Sequence, residues 1–360
     1  MNLYRSFLIL FATLAVACSH KVSETTLIHG HIEGGDADKV TVFVWDYDIQ
    51  NEEVDILDGS FSYELATNPA VVATITCYMD GKRVSQPVIP DGSELFLVFS
   101  PDGAGLNSSN KKSVNYRMLE VDALYDKVKE HATQILALQQ SGASKEQIDS
   151  LMGTINPVNE RLIAMYQEDL DEQKDNYLSV QGLVSLQSRF TDEQVDSLIN
   201  TLDPSVIQTI RVQTIRKDIQ GRLATREGKT FVDFAGENGD ARLSDYVGKG
   251  KYILTDFWAS WCQPCIVEIP HLKELYEKYN GDTFTILGIA CSDNPENSKA
   301  AISKHSMPWA QILGTGMVAM ETYGFNGIPY YILFAPDGTI LKRGLRGEAL
   351  DNALKEILEK

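Results

Sequence analysis

The chain has 360 residues, 43% hydrophobic and 23% charged, which is ordinary for globular protein and long enough for two or three domains with sizeable cores. Lys and Arg number 32 against 50 Asp and Glu, a net charge of −18, so there is no footprint for nucleic acid or for an anionic bilayer surface. The 5 cysteines, Cys18, Cys77, Cys262, Cys265 and Cys291, are too few for a disulfide framework and point to reactivity instead.

Residues 1–17 read as a targeting segment. Arg5 supplies a short positive region, and the apolar run from Phe7 to Ala17 is too short to span a bilayer, which takes about 20 residues. It ends in Ala15-Val16-Ala17-Cys18. That ending resembles a bacterial lipoprotein signal, with Cys18 as the lipid attachment residue. An ordinary signal peptide cut near Ala17 would leave Cys18 a free thiol. Export to the cell envelope, facing the periplasm and tethered to the membrane by lipid, is the expected localisation, and there disulfide chemistry is possible.

Residues 18–110 read as a β-rich antiparallel domain. Val40, Val42 and Val44 alternate with Thr41 and Phe43. The stretch from Val54 to Leu65 carries Asp58-Gly59 at its centre and predicts a hairpin. Asp80-Gly81 marks another turn, after a run in which Ala73, Ile75, Cys77 and Met79 share one face. Cys77 is therefore a small core residue. Residues 101–110, rich in Gly, Ser and Asn, read as a linker.

Residues 111–226 read as a helical segment, with Leu119, Leu124, Val128, Ile135 and Leu138 at roughly helical spacing. Ser144 with Gln147 and Thr191 with Gln194 are capping-box pairs that start new helices. Pro157 is expected to interrupt or kink one of them. The β and helical segments together resemble the N-terminal module of exported Bacteroidetes lipoproteins, a likeness that rests on the Asp58–Leu65 hairpin and the layout and implies no chemistry.

Residues 227–360 alternate strand and helix. Strands are expected over 252–258 and 283–290, helices over 264–279 and 297–305, a hairpin over 330–343 and a closing helix over 349–358. This is the thioredoxin order, so the fold class is an α/β thioredoxin-like C-terminal domain behind an antiparallel β domain and a helical segment.

The run Asp256-Phe257-Trp258-Ala259-Ser260-Trp261-Cys262-Gln263-Pro264-Cys265 places a cysteine at the start of a helix. Unpaired backbone N–H groups and the positive dipole end stabilise a thiolate there. Pro264 near the helix start costs no hydrogen bond. Cys265, one turn on, can reach the same sulfur, so Cys262 is the attacking and Cys265 the resolving member of a redox-active disulfide. The stretch resembles the active site of thioredoxins and of the exported TlpA/ResA-like reductases. The resemblance extends to Pro270 and to Gly327-Ile328-Pro329-Tyr330, where it implies a cis Pro329 that offers the Ile328 backbone to a partner chain. Tyr330 departs from the family's usual Thr. Trp261 is expected to form an apolar rim, so Trp261, Pro264, Ile328 and Pro329 are the candidate substrate-binding residues.

Two acids stand near the pair. Asp256 lies in a strand covered on both faces, so its carboxyl is expected to be desolvated and its pKa raised. Glu268 lies one turn after Cys265, where the TlpA/ResA-like proteins carry Glu. Either acid could take the proton of Cys265. The competing reading of Glu268 is a plain exposed helix residue. A zinc site would need a second C-x-x-C or C-x-x-H, which the sequence does not contain, so neither metal nor cofactor is expected. Cys291 reads as a core or rim thiol, and His271 and His305 as helix-surface residues.

The resemblance implies a protein-disulfide reductase acting on disulfides of other exported proteins, apocytochrome c among the candidates, and recharged by a membrane thiol-reducing protein. Two other readings are a peroxiredoxin-like peroxidase, because Gly228 to Phe234 resembles the broader redoxin group, and a binding lipoprotein whose N-terminal module is the working part. Against the first, the Pro-x-x-x-Thr-x-x-Cys peroxidatic pattern does not precede Cys262.

Overall fold

The computed structural model describes residues 24–359, except Trp45, Tyr47, Asp48 and Asp240. The signal segment and Cys18 lie outside the described residues. The described residues form two compact units, one of residues up to 162 with 176–178 and the other of residues 163–175 with those from 179 onward. The division falls inside a helix.

The first unit begins with eight strands: β1 (Thr25–Ile32), β2 (Lys39–Val44), β3 (Ile49–Asp55), β4 (Ser60–Ala66), β5 (Ala73–Met79), β6 (Lys82–Val88), β7 (Glu94–Ser100) and β8 (Gly103–Ser108). They form two four-stranded sheets, ordered β4-β1-β7-β8 and β3-β2-β5-β6. All pairs are antiparallel except β1 with β7. Alternate residues of both sheets, among them Ile28, Leu97, Val40, Val42, Ile75 and Cys77, share one core, as period-2 patterning requires. Cys77 is a buried free thiol of that core. The helices α1 (Val114–Gln140) and α2 (Lys145–Glu172) follow. Buried Asn115 fastens α1 to the strands by taking the Ile89 N–H at 2.7 Å and giving its amide to the Ile89 carbonyl at 2.8 Å.

Three expectations change here. Asp58-Gly59 does make a tight turn, with φ of 50° and 71°. However, the turn joins different sheets: β3 pairs with β2 and β4 with β1, and only a Leu57–Ser60 bridge spans it. Most of the expected linker is the edge strand β8, paired antiparallel with β7. Its Gly, Ala and Asn residues have weak strand preference, and the bonds offered by β7 override it. Pro157 lies inside a continuous α2.

The second unit continues with α3 (Tyr177–Leu186), α4 (Asp192–Ile199), α5 (Pro204–Ile207) and α6 (Ile210–Ala224). The Thr191–Gln194 capping box starts α4 as expected. Then come β9 (Tyr252–Trp258), α7 (Gln263–Tyr279), β10 (Phe284–Ala290), α8 (Pro295–His305), β11 (Ala310–Ile312), α9 (Val318–Tyr323), β12 (Tyr330–Phe334), β13 (Ile340–Arg343) and α10 (Glu348–Leu358). The sheet order is β11-β10-β9-β12-β13. β10 runs parallel to β9, and β12 antiparallel to it. Even-numbered residues of β9, such as Leu254 and Trp258, join the core that contains Cys262, Cys265 and the inner face of α7. Ile253 and Phe257 join the core on the opposite face, with Ala319, Met320 and Tyr323 of α9.

Helix α6 is packed onto this domain. A Cβ on Gly221 would lie 2.6 Å from the Glu321 carbonyl oxygen, and one on Gly324 2.1 Å from the Asp218 carbonyl oxygen. At those two positions the backbones of α6 and the end of α9 touch, which only glycine allows. Arg222 adds a paired contact with Asp192 at 2.7 Å and a bond to the Gly324 carbonyl at 3.2 Å.

Candidate active site

β9 delivers the chain to the site and α7 carries it away. Cys262 is the N-cap of α7, and its sulfur accepts the Cys265 N–H at 3.2 Å. Pro264 occupies the first turn, where no N–H is needed. The two sulfurs are bonded at 2.08 Å, and both cysteines are buried. Trp261, by contrast, is 62% exposed. Its indole N–H donates to the Ser292 carbonyl at 2.9 Å, which holds the ring beside the pair. The Ile328–Pro329 peptide is cis, and Ile328 packs against the core that holds both cysteines. The Arg346 guanidinium donates to the Pro329 carbonyl at 2.5 Å.

Asp256 is 2% exposed, and its Oδ1 has no hydrogen-bond partner among the described residues. Its even position in β9 points it toward α7 and the cysteines. Burial, with the Glu268 carboxylate acting in the same direction, pushes its pKa up to about 8. Its neighbours across the sheet explain why it stays unpaired. On one side stands Gly288, without a side chain. On the other stands Tyr331, whose buried hydroxyl is likewise without a partner. Burial, then Asp256, then Glu268 push the Tyr331 phenol upward. Glu268 itself is half-buried, with a carboxylate oxygen 3.7 Å from His271 Nδ1.

The structure thus brings Cys262, Cys265, Asp256, Glu268, Trp261, Pro264, Ile328 and Pro329 to one end of the sheet. It adds two residues the sequence reading passed over. Tyr331 is legible only once the β9–β12 register is known. Asp293 accepts Ser260 N–H at 2.7 Å, Ser260 Oγ at 3.0 Å and Ser298 Oγ at 2.7 Å, tying the loop before Cys262 to the start of α8. The Ser292-Asp293-Asn294-Pro295 run is the signal that could have found it. His271 differs from the surface role expected of it, because its Nε2 lies 2.8 Å from Asp351 and joins α7 to α10. Cys291 is a core thiol, pushed up to about 12 by burial. Among the described residues no cluster suited to a metal ion occurs, and no helix is long and apolar enough to cross a membrane.

Residues 227–343 match the AhpC/TSA family. Over 135 residues the chain is 28% identical to the thiol-disulfide oxidoreductase ResA of Bacillus thuringiensis subsp. konkukian, spanning 38% of this chain and 76% of that protein. Over 125 residues it is 23% identical to ResA of Bacillus subtilis, spanning 34% and 69%. Among solved structures, the thioredoxin domain of a thiol-disulfide oxidoreductase from Bacteroides vulgatus is 33% identical and spans 37% of this chain and 97% of that one, with a TM-score of 0.34.

Proposed function

Because the C-terminal domain belongs to the TlpA/ResA-like thiol–disulfide oxidoreductases of thioredoxin fold, we propose that this chain is an exported, membrane-tethered reductase of disulfides in other exported proteins, acting through a Cys262/Cys265 dithiol. One observation carries the reading: Cys262 caps α7 with its sulfur within reach of Cys265 and beside an exposed Trp261.

The Cys262 thiolate attacks one sulfur of the substrate disulfide. The other substrate sulfur leaves as thiolate and takes a proton. Cys265 then gives its proton to Glu268, Asp256 or water and attacks the Cys262 sulfur. The second substrate thiolate leaves, two electrons have passed to the substrate, and the pair is oxidised. A membrane thiol-reducing protein returns the electrons. Apocytochrome c fits as one substrate, and a lipid on Cys18 fits as the tether.

Cys265→Ala stalls the cycle at the mixed disulfide, so the substrates of the native host should be captured covalently on Cys262. No capture, together with no turnover of a model disulfide by the parent, would overturn the reading. Mass spectrometry of the mature protein should find diacylglycerol on Cys18; an unlipidated start elsewhere removes the tether. A peroxidase reading draws on the AhpC/TSA match. Trp261 before Cys262 and Pro264 between the cysteines weigh against it, and a peroxide-consumption assay decides.

A further inference from the structure

A cleft of about 580 Å³ lies between α6 and α9, the size of a small ligand site. The helices touch at Gly221 and Gly324 and leave the cleft open toward their N-terminal ends. Its apolar surface comes from Ile210, Met317, Met320 and Phe325, and Gln213 and Asn326 supply neutral amides. The charged residues of its wall balance in number: Lys217 pairs with Glu321 at 2.7 Å, and Arg216 and Asp218 stand beside them. Ile210 is 57% and Met317 47% exposed, so two large apolar side chains stand in solvent at the mouth.

Both walls are tied to neighbours of the two cysteines. Met317 follows Gly316, whose carbonyl accepts the Ser292 N–H at 2.8 Å, and the Ser292 carbonyl holds the Trp261 indole. Phe325 stacks flat on Tyr330, with centroids 4.2 Å apart and planes 5° apart. Tyr330 directly follows the cis Pro329. Through these contacts the cleft walls adjoin the residues that flank Trp261 and the cis Pro329.

We propose that this cleft binds the extended polypeptide flanking the substrate's disulfide, with one uncharged apolar side chain seated between Ile210 and Met317. The proposal rests on the reductase reading above. It assigns substrate selection to α6, a helix that lies before the thioredoxin-fold domain in sequence. Walls whose charges cancel favour neither an acidic nor a basic segment, the amides can meet peptide backbone groups, and Met side chains adapt to varied apolar shapes.

The test uses the full chain and two cystine-bridged peptides that differ at one position near the cysteine, Leu in one and Ser in the other. The readout is the ratio of their kcat/KM values. A single apolar anchor in a pocket discriminates about 10-fold or more, so the parent should favour the Leu peptide by about 10-fold. Ile210→Ser should bring the ratio toward 1, and Ile210→Leu should retain it. A parent ratio near 1, or a ratio that survives Ile210→Ser, overturns the docking assignment. A parent that reduces neither peptide nor a small aromatic disulfide overturns the reductase reading, and the assignment with it.

Discussion

Asp256→Asn should stabilise the folded protein at alkaline pH and destabilise it by about 1–3 kcal/mol at pH 4. The carboxyl is buried with one oxygen unpartnered, and its pKa is raised from 3.8 to about 8. The folded chain therefore holds this proton more tightly than the unfolded chain does. The stabilisation is fully present below pH 3.8, falls as pH rises, and is lost once pH passes about 8. At about 1.4 kcal/mol per pH unit, the whole interval is worth about 6 kcal/mol. An amide cannot ionise, so the variant escapes this loss. It brings one extra buried donor, which costs about 1–3 kcal/mol. The variant should thus exceed the parent by about 3–5 kcal/mol at pH 9. The assay is urea unfolding of the oxidised protein from pH 4 to pH 9, followed by tryptophan fluorescence, since Trp258, Trp261 and Trp309 all lie in the second unit. A gap of equal size and sign at both ends of the range, or none at pH 9, would refute the reasoning.

Glu268→Gln removes a carboxylate that raises Asp256 and that stands one turn from Cys265. It should lower the apparent thiol pKa in alkylation-rate profiles and slow mixed-disulfide resolution; unchanged curves and rate would make Glu268 a surface residue. Gly324→Ala forces a Cβ onto the Asp218 carbonyl at a φ of 65°. It should cost about 2–4 kcal/mol, read by urea midpoint, and an unshifted midpoint would mean the seam yields freely. A 163–360 fragment should melt several degrees above a 227–360 fragment, because the shorter piece loses every contact of α6 with α9. Equal melting temperatures by calorimetry would show that those contacts add no stability.

The redox half of the chain was readable because its signals are local. A cysteine before a Pro, at the junction of a β-branched run and an amphipathic run, specifies a strand, a turn and a helix start without distant information. β9, β12 and β13 fall where the pattern puts them. Burial of Asp256 followed from a strand with no polar face. What stayed hidden depends on register and on chain crossing. Tyr331 looks like any strand tyrosine until β12 is laid antiparallel on β9. The Asp58-Gly59 turn reads as a hairpin because turn chemistry does not reveal which sheet the next strand joins. Likewise, the composition of residues 111–226 says helix but not which helix docks on which domain. Gly221 and Gly324 are 103 positions apart, and nothing in either neighbourhood announces the other.

Arg343 has a consequence for how the molecule works through a cycle. It faces the side of the sheet opposite Asp256, across from Ile332. Its guanidinium donates to the Thr225 carbonyl and hydroxyl at 3.0 and 2.8 Å, to the Tyr323 carbonyl at 2.6 Å and to the Tyr330 hydroxyl at 3.0 Å. All four acceptors are neutral oxygens, and a guanidinium does not lose its proton in proteins. This joint therefore holds with the same strength at every pH the enzyme meets and in both oxidation states of the cysteines. On the other side of the same strands, the proposed mechanism has charge appear and disappear with each turnover. One face of the sheet works as a switch and the other as a bearing, so the end of α6 and Tyr330 keep their spacing while thiols and carboxyls beneath Cys262 change state.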